Sequence, residues 1–344
     1  MNLTRTLKEY RSLVGYCGVF EKKLIEIISF SKEVEYIERD QIVSASSTQN
    51  DAPWGLARIS HRETLNSTTI GQYIYDPSAG EGVDVYVLDT GIYLQHLDFG
   101  GRATWGENFS KGQNLVDLNG HGTFIAGVIG SNTYGVAKKS NLISVKVLND
   151  DGTGYIGDAI AGIQFTISEH ISKKALALSM GTALPKSIAN LGLESGLSQA
   201  FNSAVSAAVA KGIPYIVAAG NAAIDACLAS PASTKSVIAV GSIGKNDYVS
   251  AFSNYGVCVD IYAPGESTKS TWIGSNSATS ILSGTSTSAP YISGLAAYIL
   301  SQRDYYLTPR ELLTIIQSTA TMNIVKNLEP LSPNMIAYNS PPLS

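Results

Sequence analysis

The amino-acid sequence predicts a doubly wound α/β fold, a mostly parallel sheet with helices on both faces. Three observations favour it: short apolar runs that are rich in β-branched residues, helix-like stretches between these runs, and 32 glycines among 344 residues. Strands that are apolar on both faces are typical of a parallel sheet, because helices cover it on each side. Alternation of such strands with helices is the pattern of a doubly wound sheet.

The apolar runs and the stretches between them give the order of the predicted elements. The predicted strands are residues 83–88, 142–148, 175–180, 215–219 and 237–240. The predicted helices are residues 123–129, 156–168, 196–210 and 289–300. Functional groups of an open parallel sheet gather where its strands end, so the residues after these runs are the first candidates for chemistry.

Composition and charge exclude several classes of protein. Apolar residues make up 44% of the chain and charged residues 15%, which indicates a large buried core and argues against disorder. The net charge is −4 and no basic run of five residues occurs, which argues against nucleic acid or an anionic membrane as partner. No run of 18 apolar residues predicts a transmembrane helix, and no signal peptide is visible in the first 20 residues.

The first 46 residues differ from the rest of the chain. Residues 20–38 hold a helical pattern with Leu24, Ile27 and Ile28 on one face, and residues 34–38 read as an extended piece. The polar stretch 44–51 has the composition of a linker. We therefore predict two parts, residues 1–46 and residues 47–344.

The three cysteines, Cys17, Cys227 and Cys258, lack the CxxC spacing of zinc and thioredoxin-like sites. Cys227 and Cys258 would form a disulfide if they lie close together. Two buried thiols are an equally good interpretation.

Four polar residues lie where predicted strands end or predicted helices begin. Asp89 directly follows strand 83–88, and Asn221 follows strand 215–219. His121 has glycine on both sides at the start of one helix, and Ser286 lies just before another. Taken alone, Asp89, Asn221 and Ser286 are each explained as an ordinary turn or cap residue, and His121 as a lone histidine whose hydrogen bonds are satisfied. Together they supply a nucleophile, a base, a carboxylate to orient the base and an amide to bind an oxyanion.

Other catalytic classes need motifs that the sequence lacks. An aspartic protease needs a second Asp-Thr-Gly or Asp-Ser-Gly besides that of Asp89. There is no GxSxG for an α/β-hydrolase elbow and no HExxH for a zinc protease.

The chain resembles the subtilases of the proteinase K subfamily, as secreted by many fungi. Besides the motifs around Asp89, His121, Asn221 and Ser286, the resemblance rests on residues 52–60 (APWGLARIS), 134–139 (YGVAKK), 145–148 (VKVL) and 253–256 (SNYG). It implies a serine endopeptidase with Asp89, His121 and Ser286 as catalytic triad. It also implies an oxyanion hole made by the Asn221 side chain and the Ser286 backbone N–H.

The resemblance further implies how a polypeptide substrate binds. An extended peptide would lie between two edges, Gly152-Thr153-Gly154 and Ser179-Met180-Gly181, with Ala219 and Gly220 beside the cleft. Main-chain hydrogen bonds would give broad specificity, with apolar side chains preferred next to the cut. The alternative for both edges is an ordinary glycine turn and the end of a core strand.

The N-terminal part resembles, over residues 34–43, the end of an inhibitory subtilase propeptide that is cleaved near Ser46 and Ser47. The chain would then be inhibited by its own propeptide. The resemblance also implies an extracellular, monomeric enzyme that needs no cofactor for catalysis. A structural calcium ion would be held by Asp260 with the carbonyls of Lys235 and Val237.

The chain departs from the family pattern at several positions near these motifs. Phe124 and Tyr291 stand where histidines are usual, Thr287 stands for methionine, Ser288 for alanine and Thr182 for a glycine beside the cleft. Because the triad and Asn221 are intact, we expect activity. Two alternatives stay open: an inactive peptide-binding protein with the same fold, and a hydrolase of small esters that uses the same triad.

Overall fold

The computed structural model describes residues 8–10, 15–38, 46–112 and 114–342. The chain forms two compact units, residues 1–44 and 45–344. The first unit contains an antiparallel pair, β1 (Lys8–Tyr10) and β2 (Gly15–Cys17), and helix α1 (Lys22–Ser29). Helix α1 is shorter than the pattern over residues 20–38, and residues 34–38 belong to no strand. Residues 39–43 of the propeptide-like stretch lie outside the described residues.

The second unit alternates strands and helices as predicted. Its strands are β3 (Ser47–Gln49), β4 (Tyr73–Tyr75), β5 (Val83–Asp89), β6 (Ala103–Asn108), β7 (Asn141–Lys146), β8 (Lys186–Leu191), β9 (Ser195–Gly196), β10 (Tyr215–Ala218), β11 (Ala229–Ser230), β12 (Ile238–Ile243), β13 (Ile261–Pro264), β14 (Thr268–Thr271), β15 (Thr279–Leu282), β16 (Thr321–Met322) and β17 (Met335–Ile336). Its α-helices are α2 (Trp54–Ile59), α3 (His121–Gly130), α4 (Ile156–Met180), α5 (Gln199–Ala210), α6 (Thr285–Ser301) and α7 (Pro309–Thr319).

Nine strands form the main sheet in the order β16-β17-β13-β12-β10-β8-β5-β7-β6. Every neighbouring pair is parallel except β16 and β17. Strand β5 pairs with β7 on one side and β8 on the other, with Leu88 opposite Val145 and Leu191. The chain changes sides of β5 between β7 and β8, so the carboxyl end of β5 is a topological switch point, where open α/β sheets bind ligands.

Helices cover both faces of this sheet, which confirms the predicted doubly wound α/β fold. Val85 and Val87 of β5 belong to an apolar cluster with α3 and α6, whereas Tyr86 and Leu88 belong to a second cluster with α4 and α5. Alternate side chains of one strand therefore enter different cores, which is why the strand is apolar throughout. None of the described helices is long and apolar enough to cross a bilayer.

The predicted strand at residues 175–180 is wrong, because this segment is the last part of α4. Residues 173–180 (KKALALSM) include strong helix formers and no β-branched residue, so nothing local favours a strand. Helix α4 ends at Gly181, whose φ of +64° is the left-handed conformation common after helices. The strand that lies between β5 and β10 is β8 instead.

Cys227 and Cys258 form a disulfide, so the interpretation as two buried thiols is wrong. The bond closes a loop with a sequence separation of 31. Chain-entropy arguments give such a cross-link about 3–4 kcal/mol of stabilisation.

Candidate active site

The structure brings Asp89, His121 and Ser286 into one hydrogen-bonded chain. Asp89 is the last residue of β5, His121 the first of α3 and Ser286 the second of α6. His121 Nδ1 lies 2.8 Å from Asp89 Oδ1 and 2.9 Å from Oδ2, and Nε2 lies 3.2 Å from Ser286 Oγ. The Asp89 carboxylate is fully buried, while 24% of the histidine side chain is exposed. A hydroxyl beside an imidazole that a buried carboxylate orients is the arrangement of an activated nucleophile.

A second buried carboxylate, Asp117, shapes the loop that carries the histidine. Its Oδ1 accepts hydrogen bonds from the Thr90 hydroxyl and the backbone N–H groups of Asn119 and Gly120. Its Oδ2 accepts from the backbone and the hydroxyl of Thr123. Sequence reasoning missed Asp117, because an Asp four positions before the histidine also suits an ordinary turn.

The surroundings of His121 raise its pKa above the usual 6.5. Burial of the imidazole lowers the pKa, but the charge of Asp89, its hydrogen bond and the charge of Asp117 together outweigh burial. The imidazole must be neutral to accept the proton of Ser286, so the protonated form is the inactive one.

We therefore predict that kcat/KM falls on the acid side with an apparent pKa above 6.5. Asp117→Asn removes one of the charges that stabilise the imidazolium, so it should move this limb to lower pH. The measurement is a pH profile of kcat/KM with a peptide substrate that does not titrate between pH 5 and 9. An acid limb below 6.5 in the unaltered enzyme, or a limb that Asp117→Asn moves upwards, would contradict this account of the histidine.

The Asn221 side chain is held in one orientation against the start of α6. Its Oδ1 accepts hydrogen bonds from the Thr285 backbone N–H at 2.7 Å and from the Thr285 hydroxyl at 3.1 Å. The same hydroxyl accepts from the Gly220 N–H at 3.1 Å. With Oδ1 occupied, the amide keeps its N–H groups for another acceptor. Ser286 lies in the first turn of α6, where backbone N–H groups have no partner within the helix. Both donors of an oxyanion hole are thus available.

Thr285→Val should lower kcat about tenfold and leave KM nearly unchanged. Valine has the shape of threonine and keeps the backbone N–H that donates to Asn221, but it loses the hydroxyl that donates to Asn221 Oδ1 and accepts from the Gly220 N–H. One net hydrogen bond contributes about 1 kcal/mol. Thr287→Val is the matched control, because the Thr287 hydroxyl donates to Gly265 and Gly284 and not to Asn221. Steady-state kinetics of both variants is the measurement. An equal fall of kcat in the two variants, or a change in KM alone, would contradict the role of the Thr285 hydroxyl in orienting Asn221.

The loop that carries Asn221 is held by two further side chains. Asn254 is buried, donates to the Ala219 carbonyl at 2.9 Å, and accepts from the N–H groups of Ala222 and Ile224. Glu194 Oε2 accepts from the Asn221 N–H at 3.0 Å. Sequence reasoning missed both roles. Ala219 and Gly220, predicted beside the cleft, therefore lie in the loop that leads into Asn221.

A cavity of about 590 Å³ adjoins the histidine. Gly152, Thr153 and Gly154 line it, as predicted for one substrate edge. On the other side it is lined by residues 192–195, which directly follow β8, and not by Ser179, Met180 and Gly181.

The prediction of Ser179-Met180-Gly181 as the second edge is contradicted by their place in the fold. Ser179 and Met180 are the last residues of helix α4, and Gly181 follows it. Near this end of α4, Lys173 donates to Asp84 Oδ2 at 2.7 Å. Asp84 lies at the amino end of β5, whereas Asp89 lies at the carboxyl end, so α4 ends at the opposite end of the sheet from the triad. Thr182, expected beside the cleft, donates its N–H to the Ala177 carbonyl there.

Phe124 on α3 and Tyr291 on α6, two of the departures from the family pattern, are packing residues. The Phe124 ring lies edge-on to Trp272, with 6.4 Å between ring centroids, and Phe124 is fully buried. Tyr291 is buried, and its hydroxyl lies where a Cβ at Gly55 would be. No hydrogen bond among the described residues joins either side chain to the triad.

Asp260 offers a carboxylate for the predicted calcium ion. Its Oδ2 accepts from the Ala239 N–H at 2.8 Å, so the carboxylate lies beside the start of β12, close in sequence to Lys235 and Val237. Burial raises the pKa of Asp260 to about 6, and no ion pair among the described residues includes it. A partly buried carboxylate without an ion-pair partner suits Ca²⁺, which prefers oxygen ligands. No group of three His, Cys, Asp or Glu suited to a metal occurs in the described parts of the chain.

Fold and site together define a class: an α/β hydrolytic enzyme with a serine nucleophile at the carboxyl edge of its sheet. Comparison with known proteins gives the family. Residues 80–336 match the subtilase family model, peptidase family S8. The chain belongs to the subtilase family of subtilisin-like serine proteases.

Individual relatives agree with this membership. A subtilisin-like protease of Coccidioides posadasii is 42% identical over 340 residues, which are 95% of this chain and 68% of the relative. The subtilisin-like serine protease Pen c 2 of Penicillium citrinum is 42% identical over 340 residues, which are 95% of this chain and 74% of the relative. The crystal structure of a cold-adapted subtilisin-like serine proteinase is similar with a TM-score of 0.76 and 36% identity, and covers 86% of this chain and 100% of its own.

Proposed function

We propose that this chain is a serine endopeptidase that cleaves peptide bonds through Asp89, His121 and Ser286 and an acyl-enzyme intermediate. The observation that carries the proposal is the 3.2 Å approach of His121 Nε2 to Ser286 Oγ, with Asp89 on the other ring nitrogen. Ser286 Oγ attacks the peptide carbonyl while His121 takes its proton. The imidazolium then protonates the leaving amine, and Asp89 stabilises the charged ring.

The oxyanion of each tetrahedral intermediate is bound by the Asn221 side chain and the Ser286 N–H. The fixed orientation of Asn221 supports this role, since a donor that is already aimed needs no reorganisation during the reaction. Deacylation repeats the sequence with water in place of the amine.

The proposed substrate is a polypeptide in extended conformation, which the cleft holds by main-chain hydrogen bonds. Gly152–Gly154 supply one edge and, in place of the predicted second edge, residues 192–195 supply the other. Main-chain recognition favours broad specificity. Apolar cavity walls at Leu148, Ile156 and Phe201 support the predicted preference for apolar side chains next to the cut. We also propose that the enzyme acts as a monomer.

We further propose that residues 1–46 act as an inhibitory propeptide that the enzyme removes near Ser46 and Ser47, and that the enzyme works outside the cell. The Cys227–Cys258 disulfide supports an oxidising compartment, where such bonds persist.

A serine-directed phosphonylating reagent tests the proposed function directly. We expect one equivalent of label, found on Ser286 by peptide mass spectrometry, with loss of casein digestion in proportion to labelling. Cleavage near Ser46 should be seen by intact mass before labelling and should stop afterwards. Label on another residue, or full labelling with casein digestion unchanged, would refute the mechanism. Hydrolysis of small esters with intact casein would favour an esterase, and no hydrolysis of either would favour a peptide-binding protein.

Calcium should stabilise the folded protein through Asp260. In a Ser286→Ala background, which prevents self-digestion, millimolar Ca²⁺ should raise Tm by several degrees, because a ligand at 100 times its Kd adds about 2.7 kcal/mol. Asp260→Asn should abolish this rise, and Asp304→Asn, outside the site, should keep it. Differential scanning calorimetry with and without chelator is the measurement. An unchanged calcium effect in Asp260→Asn would place the ion elsewhere.

A further inference from the structure

Glu194 places a carboxylate directly beside the loop that carries the oxyanion donor. Its Oε2 accepts the Asn221 N–H, and a Cβ at Gly220 would collide with the same oxygen. The carboxylate therefore lies against the main chain of residues 220 and 221. No ion pair among the described residues includes Glu194, so no side chain of the chain itself neutralises it there.

The cavity next to the triad is acidic. Its lining includes the side chains of Glu194 and Asp151 and no lysine or arginine. Asp151 accepts hydrogen bonds from the Thr153 hydroxyl and N–H, which lower the pKa of its carboxyl group. The walls of the cavity also include the apolar residues Leu148, Ile156 and Phe201. A side chain that fits both features has an aliphatic stem and a cationic end.

We propose that Glu194 makes the cleft select lysine or arginine at the substrate residue whose carbonyl Ser286 attacks, called P1 below. This inference rests on the proposed function and names its substrate class. The apolar walls contact the aliphatic stem of the side chain, but the preference for a cationic end departs from the apolar preference that the family resemblance implies. The carboxylate attracts the charged end.

The same charge bears on the chemical step. Negative charge develops on the substrate oxygen near Asn221, and the Glu194 carboxylate repels it. A cation at P1 offsets this repulsion as the oxyanion forms, so the preference should appear in kcat as well as in KM. Glu194 is exposed to solvent in the free protein, so screening keeps the preference well below that of a buried pair.

Matched peptides isolate the charge from the shape of the P1 side chain. Two pairs of chromogenic peptides differ only at P1, lysine against norleucine and arginine against citrulline. We expect kcat/KM to favour the charged member about 10–50-fold at 50 mM salt and less at 1 M salt, since salt screens exposed charges. Glu194→Gln, whose amide oxygen still accepts the Asn221 N–H, should reduce the ratio to within about threefold.

Glu81→Gln is the matched control, because Glu81 is exposed and pairs with Lys139 at 3.3 Å, outside the cavity. It should keep the ratio of the unaltered enzyme. A ratio near one in the unaltered enzyme, or an equal ratio in Glu194→Gln, overturns the inference. An equal loss of rate for all four peptides in Glu194→Gln also overturns it, because the carboxylate would then only position Asn221.

Binding to Ser286→Ala separates failure of this inference from failure of the proposed function. Cleavage without a charge preference leaves the protease function standing and refutes the role of Glu194. If no peptide is cleaved, the protease function fails, yet calorimetric binding still tests the preference. The lysine peptide should then bind about tenfold more tightly than the norleucine peptide to Ser286→Ala, and equally tightly to Ser286→Ala/Glu194→Gln. Equal binding to Ser286→Ala refutes the preference.

Discussion

Ser286→Ala should lower kcat for peptide hydrolysis about 10⁶-fold without changing the fold. The substitution removes one oxygen from a half-buried side chain in the first turn of α6, and alanine is a good helix former. The oxygen is the atom that His121 Nε2 contacts, so no nucleophile is left in its place. The magnitude is the one already measured for nucleophile removal in a subtilisin, and the residual rate comes from the oxyanion donors.

A double variant gives a sharper form of this prediction, because the losses of kcat from the two single variants should not multiply. His121→Ala alone and Ser286→Ala/His121→Ala should lose about as much as Ser286→Ala, because the two residues act as a unit. The control is Ser288→Ala, two residues further along α6, whose hydroxyl donates to the Gly284 carbonyl at 3.5 Å and, among the described residues, forms no hydrogen bond with the histidine. Steady-state kinetics gives kcat for each variant, and circular dichroism checks that the fold is kept. Losses that multiply in the double variant would mean that serine and histidine act independently.

The residues of the proposed catalytic site could be predicted from sequence because each lies at the boundary of a strand or helix that the sequence reveals. Asp89 ends an apolar strand, and Ser286 begins an apolar helix. The parallel sheet then brings those boundaries to one edge. Such predictions need only the order of the strands and helices. They still hold when the predicted end of an element is wrong by one or two residues.

The second substrate edge could not be predicted because two segments compete for it. Residues 175–180 (ALALSM) form the more apolar run and so predict a strand, whereas β8 (KSIANL) contains Lys186, Ser187 and Asn190 and does not. Helix α4 continues through the first run, and β8 pairs with β5 and β10. Short apolar runs are ambiguous by periodicity alone.

Asp117, Thr285 and Glu194 were missed for another reason. Each acts through hydrogen bonds to groups distant in sequence: Asp117 with Thr90, Thr285 with Gly220, and Glu194 with Asn221. Taken singly, Asp117 and Thr285 suit a turn or a cap and Glu194 suits an exposed surface position, so none of these residue types indicates a role in the site. The Cys227–Cys258 pair was left open likewise, because pairing depends on the distance between two loops.

Asp89→Asn should lower kcat about 10⁴-fold, a loss of the size known for this change in serine proteases of another fold. The Thr90 N–H donates to Asp89 Oδ1 at 2.7 Å, and we expect the asparagine oxygen to keep that hydrogen bond. The asparagine NH₂ would then replace Oδ2, which lies 2.9 Å from His121 Nδ1. In the tautomer that accepts from this NH₂, the ring proton is on Nε2 and the imidazole cannot take the proton of Ser286. Nδ1 also lies 2.8 Å from Oδ1, so the fraction of molecules that still donates Nδ1–H to the amide oxygen accounts for the residual activity.

The change also removes a negative charge from beside the ring, so the pKa of His121 should fall. Nitrogen-15 NMR of the histidine ring should show the proton moving from Nδ1 to Nε2, and the acid limb of the residual activity should move to lower pH. Asp84→Asn is the control on the same strand, because Asp84 pairs with Lys173 at the far end of β5. Near-normal activity of Asp89→Asn with the proton still on Nδ1 would mean that the carboxylate fixes neither tautomer nor charge. The nucleophile would then be activated by something other than the chain of contacts from β5 through α3 to α6.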